Sequence, residues 1–350
     1  MSVAKFLEEN FKHFNARETL DAAKKWHEFS MNGGKMVLAL AGAMSTAELG
    51  ISLAKMIRAG KIHAISTTGA NLEEDLFNLI GNKDYKATPR YRYFSPEDDA
   101  KLRDQHLHRV TDTCLTLDVM LTLESALVPL WKKAANSDES YFPFEFVYQL
   151  IRTGFFNGKN QVPVEHSWVI AACETNTPIY TAGWEDSTMG NVFAAHVMKG
   201  DIKTHSAVKS GTEQFAHLTK WYMQNDQEGP IGFFQIGGGI AGDFAMCVVP
   251  SIIEDHHKKC SYWSYFCHIG DSILSYGSYS GCSASEKVTW HKLGKTTPAY
   301  SINSDATIVA PLIFQYVLEK NVEDINMNKK HDMHQDVKEI GTKQIIARVK

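Results

Sequence analysis

The segment Glu286-Lys287-Val288-Thr289-Trp290-His291-Lys292 carries the residue types that an amine-transfer chemistry needs. A lysine beside a tryptophan in an apolar setting can lose its proton more readily, and the neutral amine attacks imines and carbonyls. Trp290 can stack on an aliphatic or cationic ligand, and Glu286 can hold an ammonium group. The same spacing also describes a surface lysine whose stem lies along apolar neighbours, so Lys292 has two readings. A second stretch, Gly237-x-Gly239-x-x-Gly242, fits G-x-G-x-x-G between an apolar run and a helical pattern. Such a turn lets backbone N–H groups approach a pyrophosphate at a helix N-terminus, and it also serves simple helix-on-sheet packing. Asp243 follows it, either as an N-cap or as a carboxylate aimed at a cation. Glu73-Glu74-Asp75 comes after Thr67-Thr68-Gly69, where acids complement a helix dipole or hold ribose hydroxyls. Asp186 and Asp305 sit where simple caps are expected. The histidines His166, His196 and His291 are isolated, no H-E-x-x-H occurs, and no metal site is expected.

These groups must be positioned by elements that the hydrophobic pattern outlines. The apolar run 36–43, KMVLALAG, reads as a buried parallel strand. A helix is expected from about Ser45 to Gly60, capped by Ser45 or Thr46. A strand over 62–66 and a helix from Leu72 complete a βαβ unit. The polar stretch 82–104 reads as a loop with aromatic and basic residues, and 105–136 and 143–156 read as helical. The run 169–175, VIAACET, is strand-like, with a further extended piece over 177–182. The loop 183–191 leads into a helix over 192–200, and 204–225 is helical. Then come a strand over 231–237, a helix from Asp243, a strand within 262–270, a Gly/Ser/Tyr-rich loop over 275–285, a strand over 299–303 and a last helix from Ala306. Residues 1–34 read as two short helices appended to the main fold, 35–325 as one catalytic domain, and 326–350 as a polar tail. Alternating strands and helices predict an α/β fold: a Rossmann-like parallel sheet with helices on both faces and a short helical N-terminal extension. Ligands then bind beyond the carboxyl ends of the strands.

Composition narrows the function. The chain has 350 residues, 44% hydrophobic and 22% charged, which suits a folded domain. With 36 basic and 40 acidic residues the net charge is −4, so nothing favours nucleic acid as a partner. The six cysteines lack zinc spacing and sit mostly among apolar neighbours, as buried thiols of a reducing cytoplasm do. No apolar run of membrane-spanning length and no leader pattern occur, so a cytoplasmic, non-membrane protein is expected.

Taken together, the motifs resemble the deoxyhypusine synthase family. The residues that carry the resemblance are TTGANLEEDL (67–76), EDSTMGN (185–191), GGGIAGDF (237–244), SYGSYSG (275–281), EKVTWHK (286–292) and SDATIVAPL (304–312). They occur in the family's order, and the likeness is greatest to its bacterial deoxyhypusine synthase-like branch. The resemblance implies a Rossmann-like fold and a homotetramer of two tight dimers, with NAD at the dimer interface. It implies a transferase that oxidises a polyamine such as spermidine, passes its aminobutyl group to a catalytic lysine as an imine, and delivers it to an acceptor amine. Lys292 is then the imine-forming lysine, with Trp290 and Glu286 lining the polyamine channel. Ser45, Thr67, Thr68, Gly69, Glu74, Asp186, Gly237, Gly238, Ser280 and Asp305 are then cofactor contacts.

The departures from the family pattern are informative. Asn191 and Tyr279 stand where the family has polyamine carboxylates, and Tyr276 replaces a cofactor-side aspartate. Asp243 replaces a histidine, and His291 replaces the glycine between tryptophan and lysine. The substrate is therefore expected to be a cationic amine whose charges sit elsewhere, with Asp243, Asn191, Tyr279 and His291 as candidate substrate contacts. A small-amine acceptor, as in homospermidine synthesis, is favoured over a protein lysine. A non-catalytic regulatory paralogue and an NAD-dependent amine oxidoreductase are the alternatives.

Overall fold

The computed structural model describes residues 2–273, 276 and 283–324. Six parallel strands form the main sheet: β1 (Lys35–Leu40), β2 (Ala64–Thr67), β6 (Ile179–Tyr180), β7 (Ile231–Ile236), β8 (Phe266–Gly270) and β9 (Ala299–Asn303). Their spatial order is β6-β2-β1-β7-β8-β9. The chain therefore winds outward from β1 in one direction and restarts at β7 in the other. That reversal makes the β1/β7 boundary the topological switch point of a doubly wound sheet. A small antiparallel sheet, β3 (Lys86–Ala87), β4 (Leu107–Val110) and β5 (Thr113–Thr116), has the order β3-β5-β4.

Alternation along the strands sends side chains to two apolar layers. Leu38, Phe234, Ile269 and Ile302 face one layer; Val37, Phe233 and Phe266 face the other. The first layer is covered by α1 (Val3–Asn10), α2 (Phe14–Met31), α3 (Gly50–Arg58), α4 (Gly69–Gly81), the helices described below, and a last helix over 306–324. The second is covered by α10 (Gly211–Asn225), α11 (Gly239–Met246) and α12 (Val248–Glu254). The expectation of an α/β sheet with helices on both faces holds.

Several local expectations are corrected. The first two helices are part of the core rather than an appendage: Trp26 of α2 is fully buried, 4.6 Å from Phe234 of β7 and 5.8 Å from Phe314. The helix expected from Ser45 begins at Gly50, because Ser45 and Thr46 lie in a buried turn. The stretch 82–104 holds β3 and α5 (Pro96–Asp104), started by a Ser95/Asp98 capping box, rather than a plain loop. The helix expected over 105–136 is preceded by the β4–β5 hairpin, so α6 spans only Leu117–Asn136. An apolar run of that kind does not distinguish a buried strand from a buried helix, and tertiary packing decided. The same holds for 169–175, which is the buried helix α8 (Trp168–Glu174) following α7 (Pro143–Arg152). Asp75 supports that start: it accepts from the Trp168 and Val169 amides at 3.2 Å each and from the Ser167 hydroxyl. The helix expected from 192 is α9 (Thr188–Met198), capped by Ser187 Oγ, which accepts from Gly190 N–H at 3.1 Å.

Candidate functional site

The carboxyl edge of the sheet carries the glycine turn. Gly237 follows β7 with φ +69°, and a Cβ there would stand 3.1 Å from Ala41 Cβ, just past the end of β1. Only glycine serves comfortably in that left-handed, crowded position at the switch point. Its carbonyl accepts from Gln235 Nε2 at 2.9 Å and lies 3.0 Å from His268 Nε2. Gly242 has the other role: a Cβ would meet Gln235 Nε2 at 2.6 Å, so it permits helix-on-strand contact. Helix α11 starts at Gly239 with Gly238 as N-cap, beside the switch point. Asp243 therefore lies inside α11, exposed, and the N-cap reading is overturned.

The neighbouring turn after β2 is more tightly committed. Thr67 Oγ1 donates to Leu40 O at 2.7 Å, and Thr68 Oγ1 caps α4 by accepting from Asn71 N–H at 3.2 Å. Gly69 admits Ser187 so closely that a Cβ would meet its side chain at 2.8 Å. Ser45 donates to Asn71 O at 2.7 Å and accepts from Trp168 Nε1 at 3.0 Å, so its hydroxyl is engaged within the fold. Glu74 differs. Its Oε2 is buried with no hydrogen-bond partner among the described residues, as is Thr46 Oγ1. Burial pushes the Glu74 carboxyl up, and the adjacent Thr46 opposes that shift. Asp305 caps the last helix, accepting from the Thr307 amide at 2.8 Å and hydroxyl at 2.7 Å.

A dinucleotide suits these groups. The glycine turn before α11 matches a pyrophosphate, and the Glu74 carboxyl, buried beside Thr46, matches a ribose hydroxyl donor. Beyond the ends of β8 and β9 opens a cleft of about 790 Å³, lined in part by His268, Gly270, Ser283 and Asn303. Tyr279 and Ser280 lie outside the described residues.

The lysine segment lies elsewhere. Helix α13 (Ala284–Thr289) opens with a capping box in which Glu286 Oε2 accepts from Ser283 N–H at 2.6 Å. Hydrogen bonding with the Ser283 hydroxyl, and then with its amide, holds the Glu286 carboxyl below its usual range. Lys287 turns inward, 3% exposed, with Nζ 4.8 Å from the Phe266 ring centroid. Trp290 is 64% exposed at the end of α13. His291 takes φ +55°, the left-handed region that favours glycine, and its Nε2 lies 3.2 Å from Glu254 Oε1. Lys292 is half-buried; its amide donates to Lys287 O at 3.0 Å, and its carbonyl accepts from Trp263 N–H at 3.2 Å. Trp263 precedes β8, so Lys292 stands at the amino edge of the sheet. The strand length from Trp263 to Gly270 is roughly 20 Å at about 3.3 Å per residue. One chain thus gathers the cofactor-type residues at one edge and Trp290, His291 and Lys292 at the other.

The loop 183–191 joins β6 to α9. Asn191 is exposed, and its amide donates to Glu185 O at 2.5 Å. Asp186 is exposed, with its amide bonded to Gly183 O at 2.9 Å. Glu73 underlies this loop: its carboxylate accepts from the Thr188 and Met189 amides at 2.8 and 2.7 Å, and burial pushes its carboxyl up to about 7. Trp184, Glu185, Phe193 and Glu213 line a second cleft of about 980 Å³; the sequence reading singled out the loop 183–191 but named none of these four as a site residue. No local signal marks it, since its walls come from α9 and α10, far apart in sequence. Among the described residues no group of His, Cys, Asp and Glu suits a metal ion, and no helix is long and apolar enough to cross a membrane.

The sheet order and the glycine turn at the switch point define a doubly wound α/β fold. Residues 7–317 match the family model for deoxyhypusine synthase, and the chain belongs to that family. A deoxyhypusine synthase-like protein of a Cyanothece species is 30% identical over 332 residues, covering 91% of this chain and 80% of that relative. A probable deoxyhypusine synthase of Archaeoglobus fulgidus is 24% identical over 307 residues, covering 88% and 90%. Among solved structures, a candidate deoxyhypusine synthase from Entamoeba histolytica superposes with TM-score 0.52 at 10% identity, covering 90% of this chain and 92% of that one, which is a likeness of fold.

Proposed function

We propose that this chain is an NAD-dependent transferase that moves an aminobutyl group from a spermidine-like polyamine to an acceptor amine by way of Lys292. The carrying observation is the Trp290-His291-Lys292 segment in a chain of this family, with Lys292 half-buried beside the exposed Trp290. Bound NAD would supply the two-electron oxidation at the start and the matching reduction at the end. Gly237 and Gly238 would hold its pyrophosphate, and Glu74 a ribose hydroxyl. Thr68, Asp186 and Asp305 remain proposed contacts at the same edge.

Neutral Lys292 would attack the oxidised carbon of the donor. Its Nζ–C bond would form as the C–N bond to 1,3-diaminopropane breaks, with Lys292's proton leaving on that amine. An acceptor amine would then displace Lys292 from the four-carbon fragment. Trp290 would cover the aliphatic stem and limit water access to the lysine-bound imine.

Because Lys292 and the glycine turn lie at opposite edges of one sheet, a second copy of the chain would close the site, within a homo-oligomer of the tetrameric kind. The amide of Asn191 donates to Glu185 O, which leaves no carboxylate at that position for a cation. This favours a small-amine acceptor over a protein lysine.

The test is incubation with NAD and spermidine, with and without putrescine. Release of 1,3-diaminopropane, homospermidine formation and a borohydride-trapped adduct on Lys292 are expected. Free aldehyde with net NADH would instead mark an amine oxidoreductase, and no turnover with any polyamine would mark a regulatory paralogue.

A further inference from the structure

The cleft of about 980 Å³ lies between the start of α9, the segment 205–210 and the start of α10. Open solvent at its mouth aside, its volume is about 460 Å³, within the range of small-molecule sites. Its apolar wall is Trp184 and Phe193, both buried, with ring centroids 5.5 Å apart. His205 meets the Phe193 ring edge-on, with centroids 6.1 Å apart. The rigidity of that wall comes from Trp131, which packs edge-on against both rings at 6.1 and 5.4 Å.

The polar rim is acidic. Glu185 and Glu213 both line the cleft. Glu213 Oε2 accepts from the amide and hydroxyl of Ser210, each at 2.8 Å, which fixes it ionised and below its usual range. Gln214 is committed to Thr181, accepting from its amide at 2.7 Å and donating to its carbonyl at 3.1 Å. Lys209, the one lysine in the lining, directs its ammonium elsewhere, 4.4 Å above the Phe142 ring and 4.0 Å from Glu145 Oε2. The cleft thus presents aromatic faces beside two carboxylates, with its lysine charge already engaged. Aromatic faces and carboxylates around an apolar space select a cation on an aliphatic stem.

We propose that this cleft binds an aliphatic diamine, held by Glu185 and Glu213 at its ammonium groups and by Trp184 and Phe193 along its chain. The choice of the diamine as acceptor rests on the transferase reading above; the binding site does not. In that role the cleft holds the negative charge that Asn191 lacks, with Glu185 just before it on the same loop.

Calorimetric titration of the full-length protein with putrescine, and with 1,4-butanediol as the uncharged control, tests it. Putrescine is expected to bind and butanediol not. The Glu185→Gln, Glu213→Gln double variant should weaken putrescine at least about tenfold, the loss of one charge-assisted hydrogen bond. Glutamine preserves the capping box of α10, so folding is retained. Ala194→Phe, which fills the cleft without changing its charge, should weaken binding to the same degree. Absence of putrescine binding overturns the proposal, as does binding that survives Ala194→Phe and is lost in Lys292→Ala. Diamine binding that follows the cleft variants in a protein that releases no 1,3-diaminopropane would sink the transferase reading and leave this site standing.

Discussion

At Lys292 the chemistry and the charge can be separated. Lys292→Arg keeps a cation of similar length but cannot form the imine, because guanidinium stays protonated. Both Lys292→Ala and Lys292→Arg are expected to lower kcat for 1,3-diaminopropane release at least about a thousandfold, about 4 kcal/mol at the transition state. A variant retaining a tenth of the activity would remove Lys292 from the mechanism. Glu74→Gln should act on the cofactor instead: a weaker, neutral acceptor for ribose hydroxyls is expected to raise the Kd of NAD about tenfold while leaving the folded structure intact, read by fluorescence titration. His291 is legible only in part. Its type reads as a bulky neighbour of Lys292, yet its φ of +55° and its pairing with Glu254 turn it outward. His291→Gly removes a strained left-handed residue and an exposed pair, two effects of about 1 kcal/mol or less in opposite directions, so the thermal midpoint should move little.

Among the elements, Glu73 ties α4 to the start of α9. Its folded-state carboxyl is raised to about 7 from 4.5, chiefly by burial. The folded chain thus holds a proton between those values that the unfolded chain has lost. The associated stability is complete below about pH 4.5 and is lost as pH rises through about 7, on the order of 3 kcal/mol. Glu73→Gln removes this dependence. Urea midpoints of the two proteins should diverge in favour of the variant between pH 5 and 8, and a gap that stays constant would contradict a raised carboxyl. Helix α2 gives the second test at this scale. Trp26 sits against Phe234 and Phe314, so Trp26→Ala should cost about 3–5 kcal/mol. A detachable appendage would lose far less.

For the whole molecule, the decisive feature is the placement of Lys292 and the glycine turn at opposite edges of the sheet. If two copies complete each other's sites, defective variants must complement. Assayed at NAD well below the Kd of either form, where Lys292→Ala is inactive and Glu74→Gln runs at about a tenth of wild type, refolded mixtures of the two should regain roughly a quarter of the wild-type rate, since half of two-fold dimers are mixed and one of their two sites is intact. Mixtures slower than Glu74→Gln alone would place the whole site within one chain.

The strand–helix alternation, the glycine turn and the lysine segment are legible in the residues alone, because apolar period, glycine spacing and residue type are local properties. The buried strands at 36–43 and 231–237 were legible since both faces of a parallel sheet are covered, leaving unbroken apolar runs. Only the tertiary structure decided that 169–175 is a helix, that Asp243 lies within α11, and that Ser45 and Thr67 spend their hydroxyls inside the fold. It also decided where the acidic cleft lies. Each of these depends on partners distant in the chain: Asp75 for α8, Asn71 and Trp168 for Ser45, and Glu213 across from Trp184. Contacts of that kind follow from packing, and one-dimensional pattern carries no record of them.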